Sequence, residues 1–501
     1  MVVVGGGTAG WMTAAGLVSM LGVQRLGEAG IEVTLIESEA IGVVGVGEAT
    51  LPHIKQFNDT IGVNEAEFMA ATSATFKLGI EFVNWGRKGD SYIHPFGEFG
   101  LSNDGVAFHQ YWRKFAGEPG VGALDDYSLP VVAARMGKFQ PPSDDPRSVM
   151  STYRYAYQFD ALQYAPFMRG HAEARGVTRI EGKVIDVALD PESGRVASLK
   201  IENGEVIKGD MFVDCTGFLG LLIERVLETG YDDWSNFLPA DRAVAIPCKS
   251  AEPLLPYTRA IAESSGWRWR IPLQHRTGNG HVYSSQFIGD DEACDTLLKG
   301  LDGEPITEPR FLRFVTGKRR KLWNRNVVAI GLSAGFLEPL ESTSIYLIQE
   351  GITKLLELFP ADGNDEAEVA EYNRWMDLQF ERIRDFLILH YNATERDDSE
   401  FWNYMRTMQV PDSLAERLAL FSARGHISSY DHGLFLLPSW VAVLIGQRVI
   451  PDSYDSRVER QSDAEITRHL SGLKNHMAQA ASSMEDHAAF LVRNSMMSTA
   501  A

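Results

Sequence analysis

Apolar and polar positions divide the chain into recognisable segments. Residues 1–4 form a short apolar run, Gly5, Gly6 and Gly7 break it, and residues 12–20 return to an apolar composition that predicts a helix. A second apolar run, 31–36, ends on Glu37. Residues 42–52 carry too many glycines for a strand or helix interior and predict a loop in close approach to something. Helical spacing follows over 54–61 and 64–75, then partial alternation over 77–85 predicts one strand opened by Lys77. Residues 91–150 are polar and aromatic and read as an irregular inserted region on the substrate side. Residues 153–175 read as a helix closed by Gly176. Strand-like runs at 177–189, 195–202 and 205–213 surround the hairpin signal Asn203-Gly204. The buried run 211–217 predicts a strand that returns Asp214 and Gly217 to the end where the first glycines lie. Alternating runs between 242 and 313 predict an antiparallel sheet, and 326–331 is another buried run. A helix is expected over 345–358, and after Pro360 helical patterns occupy 365–390, 413–421 and 462–491.

Gly5, Gly7 and Gly10 stand in G-x-G-x-x-G spacing between a strand-like run and a helix. One glycine makes the turn, one lets backbone approach a pyrophosphate and one lets helix pack on strand, while the helix N-terminus receives the negative charge. Glu37 falls at the distance where a carboxylate bonds a ribose hydroxyl. The fold class expected is therefore α/β (α+β): a Rossmann-like dinucleotide domain with an inserted antiparallel sheet over residues 1–360, and a mostly helical region over 361–501.

Composition narrows the partners. The chain has 501 residues, 45% of them hydrophobic, enough for sizeable cores, and a formal charge of −20 that repels nucleic acid and anionic membrane surfaces. The three cysteines, Cys215, Cys248 and Cys294, suit neither a metal knuckle nor a disulfide framework, so no metal is expected. No apolar run reaches the length of a membrane span, and no basic-then-apolar leader precedes the glycines, which gives a cytoplasmic location as the expectation.

Further motifs sharpen the chemistry: Gly-Val-Gly-Glu-Ala-Thr at 45–50, Phe76-Lys77, His94-x-Phe96, the run Gly-Trp-Arg-Trp-Arg-Ile-Pro at 266–272, and Phe336-x-Glu-Pro-Leu-Glu-Ser-Thr343. Together with the first glycine loop, this set resembles the flavin-dependent halogenases of the tryptophan halogenase group, whose signature W-x-W-x-I-P is met at Trp267, Trp269 and Ile271. The resemblance spans nearly the whole chain. It implies FAD, used as FADH2, and a halide ion, chloride or bromide. Flavin, dioxygen and halide would give hypohalous acid that reaches Lys77, and an electron-rich aromatic would then attack the halogen.

Residue by residue, the resemblance makes Lys77 the group that holds the electrophilic halogen, by hydrogen bond or as a haloamine. Without it, Lys77 reads as an ordinary strand-end lysine reaching for water. Glu341 becomes the second catalytic residue, with Ser342 in support, and the amides of Thr343 and Ser344 hold the halide at a helix N-terminus, where an N-cap role can coexist. Flavin contacts fall on Gly5, Gly7, Thr8, Ala9, Gly10, Glu37, Ile41, Val44, Val46, Ala49, Val184, Leu332 and Ile345, several of them through backbone. His94, Phe96 and Trp440 would line the substrate pocket, while Trp267 and Trp269, facing one way along a strand, form a wall between flavin and substrate.

No second glycine fingerprint is present to hold nicotinamide, so reduced flavin is expected from a separate flavin reductase; a homodimer is one assembly open to the chain. Members acting on free tryptophan clamp its amino-acid group with adjacent tyrosines and a glutamate. The corresponding stretch here, 433–443, has no tyrosine pair. The substrate expected is therefore indole or an indole derivative. The competing readings are a flavin-dependent aromatic hydroxylase and a flavoprotein that only binds FAD.

Overall fold

The computed structural model describes residues 1–21, 31–40, 47–250, 253–359, 366–428 and 433–498. Val2–Val4 (β1) is a buried run of valines, whose branched side chains suit a strand covered on both faces. The helix Thr8–Met20 (α1) follows, and Thr34–Glu37 (β2) pairs parallel with β1. In chain order the next strands are Gly47–Ala49 (β3), Thr75–Lys77 (β4), Gly79–Val83 (β5), Ser91–Pro95 (β6), Lys138–Phe139 (β7), Ala156–Asp160 (β8), Thr178–Glu181 (β9), Val184–Leu189 (β10), Val196–Ile201 (β11), Val206–Lys208 (β12) and Phe212–Asp214 (β13).

Three sheets place the site. The six-stranded sheet runs Trp323–Asn324, Val327–Ala329, β13, β1, β2, β9, parallel throughout except at its outer hairpin. Its strand ends bring together the glycine loop, Glu37 and the turn after Ala329, the edge at which open α/β sheets bind ligands. The seven-stranded sheet runs Arg310–Arg313, Arg242–Cys248, Thr277–Tyr283, Gly266–Pro272, Thr258–Ala262, β5, β6. The third sheet has β8 at its centre, with β3 on one side and β4 on the other. Most buried apolar side chains form one continuous core through all these layers, to which the helices Ser344–Glu357 and Glu366–Asn392 contribute.

Several expectations are corrected. Residues 77–85 are not one strand. Lys77 closes β4, Leu78 turns its N–H to Pro256 O (2.8 Å), and β5 begins in a different sheet. Residues 153–175 are not one helix: Ala156–Asp160 is a strand, and the helix begins at Ala161, capped by Asp160. The region 91–150 is more regular than expected, with β6 and the helices Phe108–Phe115 and Leu129–Arg135. The helical pattern over 462–491 divides at Met484 into Asp463–Ser483 and His487–Arg493. Part of the expected loop at 42–52 is the strand β3. The expected return of Asp214 to the first glycines is met, since it pairs with Val4 across parallel strands, and there its Oδ2 accepts from the N–H groups of Leu222 (2.7 Å) and Ile223 (2.9 Å).

Candidate active site

The glycine loop has the shape that its spacing predicts. Gly5 has φ +114°, in the region that disfavours a side chain, and a Cβ on Gly10 would lie 1.8 Å from Gly5 O. Among the described residues nothing lies within 4 Å of a Cβ placed on Gly7, so these residues leave the mouth of the loop open. Helix α1 has no side-chain cap and no acidic residue in its first turn, which leaves its N–H groups for an anion. Opposite, a Cβ on Gly331 would meet Ala9 Cβ at 2.7 Å, so the turn carrying Leu332 packs directly on the start of α1. These features fit the pyrophosphate of a dinucleotide such as FAD. Gly10→Ala is expected to force α1 away from β1 and weaken FAD binding by about five- to 150-fold, the equivalent of the ~1–3 kcal/mol typical of overpacking, as a flavin-fluorescence titration would measure.

Glu37 is less free than the spacing suggests. Its Oε1 accepts from Arg179 Nε (2.5 Å) and its Oε2 from Trp11 Nε1 (3.2 Å), which fixes the carboxylate at the end of β2. Ala49 closes β3 and packs with Ile271 and Leu273, so the W-x-W-x-I-P strand lies against the second glycine segment. Ile345 is buried in the first turn of the helix Ser344–Glu357, and Val184 is half-buried at the start of β10. Ile41, Val44 and Val46 lie outside the described residues.

A second cluster forms around Lys77. The side chain is fully buried, and Nζ donates to Ser342 Oγ (2.8 Å) and to Thr50 O (3.0 Å), while standing 5.1 Å from the Phe96 ring centre. Burial drives the ammonium down to about 7 from its ordinary 10.5, opposed by the charge on Glu341. Ser342 has φ +59°, a left-handed conformation that costs a non-glycine residue about 1–3 kcal/mol and persists only where its surroundings impose it. Here it points Oγ at the amine.

Glu341 is equally buried and lies between two imidazoles. His94 Nδ1 is 3.0 Å from Oε1 and 2.9 Å from Oε2, and His390 Nε2 is 2.7 Å from Oε1. His390 Nδ1 sits 2.8 Å from Phe386 O, so the ring stands with one nitrogen against a backbone carbonyl and the other towards the carboxylate. Burial alone raises a carboxyl pKa, but His94 and His390 outweigh it and hold Glu341 down to about 2. Three residues earlier Glu338 behaves oppositely. Burial pushes it up to about 7, against the weaker effects of the Tyr391 hydroxyl and the Trp267 indole, whose Nε1 stands 3.4 Å from Oε2. Consecutive residues of one helix, His390 and Tyr391, thus face two carboxyls of different character.

The aromatic candidates separate into two groups. Trp440 is buried, packs edge-on against Phe386 (5.3 Å), and Phe386 stacks on Phe435 (3.8 Å); both rings lie beside His94. Trp267 and Trp269 are a separate pair with ring centres 6.1 Å apart. Thr343 is the N-cap of the helix Ser344–Glu357, with no side-chain cap, and among the described residues its Oγ1 has no hydrogen-bond partner. The structure therefore brings Lys77, Ser342, Glu341, His94 and Phe96 together, with Trp440 behind His94 and the glycine loop forming a distinct site. The sequence did not reveal Thr50 O, His390 or Arg179. His390 sits on the buried face of an amphipathic helix, where its spacing resembles that of a core residue.

Comparison with known proteins agrees with this geometry. A family profile described as tryptophan halogenase matches residues 1–463. A tryptophan 6-halogenase from Streptomyces toxytricini is 36% identical over 90% of this chain and 89% of its own. Among solved structures, a flavin-dependent halogenase from Xanthomonas campestris superposes with a TM-score of 0.94 at 42% identity, covering 98% of this chain and 97% of that one. A flavin-dependent halogenase from Brevundimonas sp. BAL3 superposes with a TM-score of 0.93, also at 42% identity and over 98% of each chain. The chain belongs to the tryptophan halogenase family and is an FADH2-dependent halogenase.

Proposed function

We propose that this enzyme halogenates indole or an indole derivative without a firmly held amino-acid group, with Lys77 as the residue that holds the halogen. The observation that carries this reading is the fully buried amine of Lys77, 2.8 Å from Ser342 Oγ and backed by the buried carboxylate of Glu341. Relatives named as tryptophan halogenases support an indole ring as the reacting group. The stretch 433–443, which has no tyrosine pair, argues for a smaller or differently held substrate than tryptophan.

FADH2, from a separate reductase, supplies with dioxygen and halide the hypohalous acid that this site consumes. Gly5, Gly7, Thr8, Ala9, Gly10, Glu37, Ala49, Val184, Leu332 and Ile345 would hold the flavin, and the amides of Thr343 and Ser344 the halide. Lys77 holds the hypohalous acid through its amine. A ring carbon attacks the halogen, the halogen–oxygen bond breaks, and the oxygen leaves as hydroxide that takes a proton to become water. The cationic ring then loses its C–H proton. Glu341 serves this step chiefly as a fixed negative charge beside the ring. Held at about 2, it is a weak base, which suffices for so acidic a proton, and it stays ionised at every working pH. His94 orients Glu341, Phe96 and Trp440 shape the ring pocket, and Trp267 and Trp269 separate the two sites.

Purified enzyme supplied with FAD, a flavin reductase, NADH, oxygen, indole and bromide or chloride is expected to give a product with the halogen isotope pattern. Addition of oxygen alone would identify a hydroxylase and sink the proposal. Tryptophan offered in parallel should turn over more slowly than indole. The pH dependence is a further check. The free amine of Lys77 has the lone pair that can accept from hypohalous acid and the ammonium does not, so kcat/KM at constant flavin supply should rise as pH passes about 7.

A further inference from the structure

We infer that His487, some four hundred residues away in sequence, is a positioning residue for Lys77: its imidazole holds the strand that ends in the catalytic amine. The inference rests on the reading of Lys77 given above. Strand β4 pairs with β8 along one edge only, through Thr75, Phe76 and Lys77. The backbone of Phe76 faces away from β8, which would leave a buried N–H without a partner. His487 supplies one: Phe76 N–H donates to His487 Nε2 (3.1 Å), and the Phe76 carbonyl accepts from Gln158 Nε2 (3.2 Å).

The imidazole is fixed from its other side. His487 Nδ1 lies 2.9 Å from Leu254 O, and a carbonyl cannot donate, so Nδ1 carries the hydrogen and Nε2 is a bare acceptor. Burial lowers the imidazole to about 4, which keeps that acceptor available at working pH. The segment bearing His487 is itself anchored. Glu485–Asp486 pairs with β7, His487 N–H donates to Gly137 O (2.9 Å), and the Phe76 ring stacks on Phe139 (3.8 Å) with Phe490 edge-on (5.7 Å). Gln274 ties the same two segments together, with Nε2 donating to Ala74 O (2.5 Å) and to Met496 O (2.9 Å). His487, Glu485, Asp486, Phe490 and Met496 lie beyond residue 463, where the family match stops, while the groups they hold lie within it.

A buried N–H left unpaired must find another partner, and any shift of β4 moves Lys77 directly. Small displacements of a reacting group cost one to two orders of magnitude in rate. Two substitutions separate this role from general packing. In His487→Gln the longer side chain presents its amide at the Nε2 position and keeps the bond from Phe76. In His487→Asn the amide lies near the Nδ1 position, so the bond to Leu254 O survives and the one from Phe76 is lost.

Each variant would be assayed for melting temperature, FAD affinity, halogenated indole formed, and hypohalous acid escaping to a diffusible scavenger. His487→Asn is expected to bind FAD and oxidise halide as the parent does, yet to form about tenfold less halogenated product, with the missing halogen recovered in the scavenger; His487→Gln should restore most of the product. Parent-like product from folded His487→Asn would overturn the inference, as would a parallel loss of FAD binding, halide oxidation and product, the mark of a merely structural residue. If His487→Asn does not fold, His487→Gln decides: near-parent partitioning between product and scavenger supports the role, and heavy leakage from a folded protein overturns it. Lys77→Met distinguishes the two levels, since it leaves indole unhalogenated if the reading of Lys77 holds, whatever His487 does.

Discussion

Lys77→Met is expected to lose halogenation by at least about 10³-fold while the protein becomes more stable. The amine is buried and lowered to about 7, whereas in the unfolded chain it titrates near its ordinary 10.5. Between those pH values the unfolded chain binds a proton that the folded chain does not, so stability rises with pH across that window and the full penalty is present below about 7. That penalty is on the order of 4–5 kcal/mol. Methionine fills similar space without charge, and it forfeits the bonds to Thr50 O and Ser342 Oγ, which return part of the gain. A Tm raised by a few degrees, unchanged FAD affinity and absent halogenated indole is the expected combination. Lys77→Arg should be equally inactive, because a guanidinium does not lose its proton. Product formation above about a tenth of the parent rate in Lys77→Met would remove the role assigned to the amine.

Glu341→Gln carries the opposite stability sign. The carboxylate is depressed from 4.5 to about 2, so its pairing with His94 and His390 stabilises the fold above pH 4.5 and is lost only as pH falls from 4.5 towards 2. At neutral pH the glutamine variant should therefore melt below the parent, and its dependence on pH between 4.5 and 2 should flatten. Activity should fall about 10²–10⁴-fold, because the amide offers neither a charge to the cationic ring nor a site for its proton. Chemical denaturation across pH, together with single-turnover product analysis, would test both halves. A variant that retains parent activity would assign Glu341 to structure alone.

What could be read from the sequence was local. Gly5, Gly7 and Gly10 act within one turn, and the sterics that require them, such as Gly5 O at 1.8 Å from a Cβ on Gly10, arise from neighbours five residues apart. The dinucleotide fold was therefore visible from its first residues. The strand 156–160 was not, although Tyr153, Tyr155, Tyr157 and Phe159 alternate with period two. Its place between β3 and β4 decides its conformation, and that context is tertiary. The break at Leu78 has the same origin, since one residue leaves one sheet to join another. Lys77 and Glu341 could be proposed from the family resemblance, but their meaning depends on Ser342, His94 and His390, which sequence separates and folding brings to within 3 Å. His390 and His487 gave no local sign, because a buried histidine on an amphipathic helix has the spacing of a core residue.

The central strand of the small sheet has an implication for evolvability. Strands β3 and β4 both hang from β8, so the segment ending in Thr50 and the amine that donates to it move as one body. Trp440 belongs to the helix Leu437–Gly446, which is not part of that body. Selection for new substrates can therefore work on the 437–446 helix while the oxidant-handling centre is inherited intact. Mutational libraries confined to that helix should change which aromatic is halogenated more readily than whether anything is.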